Sequence, residues 1–468
     1  MCRERKEINY NGIKAGVWYT MGNILIKGIP FFTLPVFTRI LTTSDFGIYN
    51  TYLAYEGILN IFIGLGIAGT IKAAFFDFNT EFEKYISSIL KQIIVTAIIF
   101  FIIGNIGYSV FLIQGWLTRY IFVLLILQSL STAVYGIMSA KFVITGSYMR
   151  NLAIAFSVVV LNIGISLVLC FSTFYDSPAA ARITGTALAS TIVSVVLLLG
   201  QQRKHPLIIR QRESIYSLRL GLPLIPHQLS LIIMTQCDKV MIQHIVGESE
   251  AGIYSLAANI VTILTVLLSS VDNAWAPWYY RMLDRKNFRK IREIDGDLLV
   301  FFMYLTCGFL LIGTDVIHIM TEKSYWESVY TFIPLTVSVY LNFMYLYDIN
   351  LEYFNKKTAA ISYVSALCAV INIGLNIIFI KNGGYIAAAY ATCIAKFMLF
   401  MIHHIIARKI EREKVVEERY LVFTLVIVLA VALLSDIFTD AIYMRYFMIV
   451  IMTFIILGYF YRKGYIKK

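Results

Sequence analysis

Long apolar runs dominate the chain, and short polar connections interrupt them at near-regular intervals. The runs lie near residues 15–40, 46–74, 86–112, 116–140, 151–173, 181–200 and 218–246. Seven more lie near 252–278, 296–320, 327–350, 358–380, 384–407, 420–438 and 441–461. Each is close to, or longer than, the ~20 residues a helix needs to cross a bilayer. In lipid every backbone amide must find its partner within the protein, so runs of this kind fold as helices. The pattern predicts an all-α polytopic membrane protein with about 14 transmembrane helices. An even number places both termini on the same side.

Composition agrees with the pattern. Of 468 residues, 59% are hydrophobic and 15% charged, and the mean hydropathy is +0.74, which leaves too little polar surface for a water-soluble fold. The formal charge of +12 changes the picture only through its distribution. Thirty-one of the 40 Lys and Arg fall in connections on one side, and six (Arg39, Arg119, Arg182, Lys323, Lys381 and Arg445) fall on the other. Basic connections mark the cytoplasmic side, so both termini are expected there. Short basic clusters between spans also argue against a nucleic-acid partner. Membrane lipids are expected to meet the basic segments instead. The basic N-terminus leads into a run too long for a cleavable signal, so it reads as a span that stays.

Catalytic signals are missing. The six cysteines are scattered, with no CxxC pair, and the histidines show no metal-ligand spacing. No phosphate-binding loop, nucleophile elbow or HExxH occurs, and no long connection carries a soluble domain. The chain reads as a non-enzyme without cofactor or metal.

Two halves of the chain repeat each other. TRILTTSDFGIYNTY (38–52) matches QHIVGESEAGIYSLA (243–257) at an offset of 205, aligning Gly47-Ile48-Tyr49 with Gly252-Ile253-Tyr254. VLNIGISLVL (160–169) matches VINIGLNIIF (370–379) at an offset of 210, aligning Asn162 with Asn372. Each repeat is then six helices long. The expected domains are residues 1–210, 211–415, and a pair of additional helices at 416–468. A duplicated even-numbered unit keeps its orientation, so the lobes are expected to be related by a pseudo-two-fold axis along the membrane normal.

The stretch TQCDKVMIQHIVGESEAGIYSLA (235–257) resembles the start of the second lobe of the polysaccharide-export flippases. SVDNAWAPWYYRML (270–283) and PVFTRILTTSDFGIYN (35–50) are similar to neighbouring parts of that family. The family shares a superfamily with the MATE drug exporters and the lipid II flippase. The resemblance implies a MATE-like fold and a bacterial plasma-membrane location. It implies a substrate that is an oligosaccharide linked to polyprenyl (undecaprenyl-type) pyrophosphate. A polysaccharide polymerase and glycosyltransferases are the implied protein partners. The runner-up is an ion-coupled, MATE-like antiporter of drugs or other small molecules.

An ionisable side chain at mid-membrane costs about 2.5–3.5 kcal/mol on insertion scales, so each one asks for a reason. Lys27, Lys239 and Lys396 lie within spans, and a cationic central cavity built from them would suit a pyrophosphate. Glu56, Asp238 and Asp272 are the candidate cavity acids or ion-coupling groups. Snorkelling remains open for Lys239, and an internal ion pair for Asp238.

Overall fold

The computed structural model describes residues 31–111, 115–172, 175, 177–410 and 417–464. Every regular element among them is a helix. The chain divides into two compact units, with the boundary between Val240 and Met241.

The described part of the first unit opens with α1 (Phe31–Ile40) and α2 (Thr43–Gly64). Thr42 closes a capping box with Asp45 at the start of α2, satisfying amides that the helix itself leaves free. Next come α3 (Ile71–Phe78), α4 (Phe82–Phe111) and α5 (Arg119–Ile144), the last capped by Thr118. The unit continues with α6 (Tyr148–Cys170), α7 (Pro178–Lys204) and α8 (Gln211–Gly221), and ends within α9 (Ile225–Ile245). Ser177 caps α7, and Pro178 occupies its first turn, where a missing N–H costs nothing. α5 packs against α2, α4 and α7, and α6 lies along α7. That last contact is close: a Cβ on Gly185 would sit 2.6 Å from Ser166 Cα.

Between α2 and α3 the chain breaks, with Leu65 and Gly66 both at positive φ (51° and 65°). Gly66 approaches α8 so closely that a Cβ there would lie 2.5 Å from the Gly221 carbonyl oxygen. The missing side chains of Gly66 and Gly221 allow the approach.

The second unit holds α10 (Glu248–Asp284), α11 (Phe288–Met320), α12 (Val329–Phe354) and α13 (Thr358–Ile410). Two further helices, α14 (Glu418–Ile437) and α15 (Ile442–Arg462), pack on α11. α12 is central and touches α10, α11, α13 and α14. α13 comprises two helices joined at Gly384, whose non-helical φ of 65° and ψ of −155° suit glycine almost alone. α15 is fixed to α11 near both ends. At one end Arg445 donates to Asp315 (2.7 Å) and to the Leu311 carbonyl (2.9 Å). At the other, Tyr459 donates to Asp297 (2.6 Å), with Lys463 3.2 Å from the same carboxylate.

The repeat read from the sequence reappears as helix register. α2 and α10 start 205 residues apart, and α6 and α13 start 210 apart. α5 and α12 are both 26 residues long and also start 210 apart. The chain is a multi-pass membrane protein: among the described residues, eleven helical stretches are long and apolar enough to cross a bilayer. Eleven differs from the expected fourteen for three reasons. Most of the first span precedes Phe31, α2 falls outside the eleven, and residues 360–410 count once although they are two helices that meet at Gly384.

Candidate functional site

Polar side chains inside the first unit gather along α2 and α5. Tyr52 donates to Gln128 (2.9 Å), and one turn further Glu56 lies buried against α5. Thr132 hydrogen-bonds its carboxyl group, and Ser129 donates to its backbone carbonyl at 3.4 Å. The other carboxyl oxygen, Oε1, is buried with no partner among the described residues. A buried carboxylate with an open lone pair binds a proton or a small cation readily, because both relieve the cost of burying the charge. On α9, Asp238 and Lys239 are both buried.

The second unit is acidic and imidazole-rich inside. Asp272 on α10 accepts from Asn350 (3.1 Å), which in turn accepts from the Tyr280 hydroxyl (2.6 Å). Three residues beyond Asp272, Trp275 donates to Asp295 on α11 (2.9 Å), a carboxylate with no exposure at all. Near the end of α12, Glu352 and His403 share a hydrogen bond of 2.7 Å, both wholly inside. Their remaining atoms, Oε2 and Nε2, are buried without a partner among the described residues. One turn earlier, Asp348 meets His404 at 3.2 Å, Arg408 donates to the far side of that ring, and Glu418 lies 3.4 Å from Arg408. Lys396, partly buried on the second arm of α13, reaches Asn342 at 3.4 Å.

Residues 13–283 match the sequence pattern of the polysaccharide biosynthesis protein family. The chain belongs to that family. Two relatives from Haemophilus influenzae are each 23% identical to this polysaccharide biosynthesis protein. One, from the Lsg locus, matches over 76% of the chain and 88% of its own length. The other, described as a membrane protein, matches over 77% and 89%. Among solved structures, the lipid II flippase MurJ in an inward closed conformation has a TM-score of 0.70 at 16% identity, covering 96% of this chain and 100% of its own. An inward-facing MATE multidrug transporter has a TM-score of 0.59 at 13% identity, covering 82% and 94%. The fold is therefore the one MurJ and the MATE transporters share.

In this polysaccharide biosynthesis protein the expected site residues are distributed over both units. Glu56 and the Asp238–Lys239 pair lie in the first unit, and Asp272 and Lys396 in the second; Lys27 lies outside the described residues. Asp272 is tied to Asn350 and Lys396 to Asn342, so each has a local hydrogen-bonding role. Asp295, Glu352 and His403 were not among the expected site residues. Asp295 sits at the edge of its apolar run, where the sequence alone reads it as a solvated flank. The i, i+4 spacing of Asp348 and Glu352 signals one acidic helix face. Nothing in the sequence says that His403 and His404 face it.

Proposed function

We propose that the chain is a flippase carrying a polyprenyl-pyrophosphate-linked oligosaccharide from the cytoplasmic to the outer leaflet of a bacterial plasma membrane. Alternating access between its two halves moves the substrate, and both termini lie in the cytoplasm. The reading rests on one conjunction: a polysaccharide biosynthesis sequence pattern on a fold shared with the lipid II flippase along almost the whole chain. The glycan and pyrophosphate need a hydrated, cationic route, which Lys27, Lys239 and Lys396 supply; the polyprenyl tail stays in lipid. Glu56, Asp238 and Asp272 moderate that attraction or couple transport to an ion gradient. Residues 1–210 and 211–415 act as the two lobes, and 416–468 as an accessory pair. The polymerase and the glycosyltransferases of the same polysaccharide are the expected partners.

The test is a flipping assay in proteoliposomes loaded with polyprenyl-pyrophosphate oligosaccharide. The intact protein is expected to transport it, and Lys27→Ala and Lys396→Ala to slow it. The second reading, an ion-coupled MATE-like antiporter, draws on the MATE likeness and on the acid-rich interior of the second unit. Gradient-driven efflux of cationic drugs, with no flipping of the lipid-linked glycan, would establish it and overturn the first.

A further inference from the structure

A cavity of about 340 Å³ opens between α4, α5, α6 and α7, at the ends of those helices that carry basic connections. Lys141, Arg150 and Lys204 line it against a single carboxylate, Glu83. Lys141 is buried and held in place: its ammonium lies 2.7 Å from Glu83 and donates to Gln201 at 2.9 Å. Gln201 in turn donates to Glu83 and to Ser87, so the floor of the cavity is a fixed hydrogen-bonded set. Arg150 and Lys204 are exposed and make no ion pair with any described residue. Among the described residues, then, two cations at the rim have no counter-charge.

The opposite wall adds to the same charge. Thr145 and Ser147 line the cavity, and Gly146 turns the chain between them at φ 72°. Ser147 is the N-cap of α6, yet its side chain caps no amide. Ser147 and Arg150 place the start of this 23-residue helix, and so the positive end of its dipole, at the cavity wall. Val196 and Leu197 complete the lining, and Val196 and Leu199 are exposed along α7 toward the membrane interior.

From this arrangement we infer that the cavity binds a phosphate-bearing anion, with the headgroup of an anionic phospholipid as its source in the membrane. The phosphate sits between Arg150, Lys204 and the start of α6, while the acyl chains follow the exposed apolar face of α7. The inference is independent of what the chain transports.

Native mass spectrometry of the delipidated full chain, titrated with phosphatidylglycerol or with phosphatidylcholine of the same acyl chains, tests it. Phosphatidylglycerol is expected to bind with about tenfold or greater preference, since each basic group near a lipid surface contributes on the order of 1 kcal/mol. In R150Q/K204Q that preference should disappear. In R289Q/K290Q, which removes two exposed charges from a basic connection in the second unit, it should persist. Equal binding of the two lipids, or an undiminished preference in R150Q/K204Q, would overturn the proposal. Adding millimolar inorganic phosphate separates the sources. Displacement of the lipid assigns the site to any phosphate anion, and retention assigns it to the lipid headgroup.

Discussion

His403 and Glu352 face each other across α13 and α12 at 2.7 Å, with no exposure to solvent on either side chain. An imidazole and a carboxyl sealed in this way depend on each other. Removing one leaves the other buried without its partner, which costs about 3–5 kcal/mol when the survivor is charged. His403→Leu and Glu352→Leu are each expected to lower the melting temperature in detergent substantially. The double variant should recover most of the loss, because two apolar residues of similar volume satisfy the site. Additive losses in the double variant would show that the two residues stabilise the fold separately.

Glu56 makes a different prediction, because one of its oxygens has no described partner. Glu56→Gln keeps the shape and the Thr132 contact and removes the ionisable group. Stability should change by no more than about 1 kcal/mol. Flipping in proteoliposomes should stop responding to an imposed proton or sodium gradient. A gradient response equal to that of the intact protein would remove Glu56 from coupling.

The bend in α13 rests on a backbone conformation that Cβ-bearing residues avoid. Gly384→Ala should cost about 1–3 kcal/mol. Gly374→Ala, on the straight part of the same helix and with open space around the added methyl, should be neutral or gain up to about 1 kcal/mol. Thermal denaturation of the two variants compares them directly.

Arg445 is 2% exposed and binds α15 to α11. Arg445→Met leaves Asp315 without its partner and should cost about 3–5 kcal/mol. Hydrogen exchange across residues 442–462 should accelerate, with exchange in the first unit unchanged. Pairing it with Asp315→Leu should restore protection. Failure to do so would show that Arg445 acts through the Leu311 carbonyl instead.

The broad architecture could be read before any coordinates, because lipid makes its demands locally. Spans, breaks and the duplicated Gly-Ile-Tyr and Asn-Ile-Gly segments are properties of short stretches, and the helix starts keep the same offsets of 205 and 210. Lys381-Asn382-Gly383-Gly384 reads as a turn between two spans, and the helix breaks there, at Gly384 with its non-helical φ of 65° and ψ of −155°. Tertiary facts were hidden. Asp295 reads as a flank because hydropathy cannot register a tryptophan from another helix covering it. Arg445 reads as an ordinary connection charge, although α11 encloses it.

The matched registers of α5 and α12 carry one more consequence. In the first half, the end of α5 is braced by the Lys141 ammonium, which reaches Glu83 on α4 and Gln201 on α7. In the second half, the same end of the equivalent helix is braced to α13 by two histidines. An ammonium offers three donors and can bind two neighbouring helices at once, whereas each planar imidazole here meets one carboxylate on one neighbouring helix. Descent from one ancestral half has therefore left two braces with unequal chemistry. Exchanging the two braces between the halves would leave hydrogen-bonding partners unmatched in both.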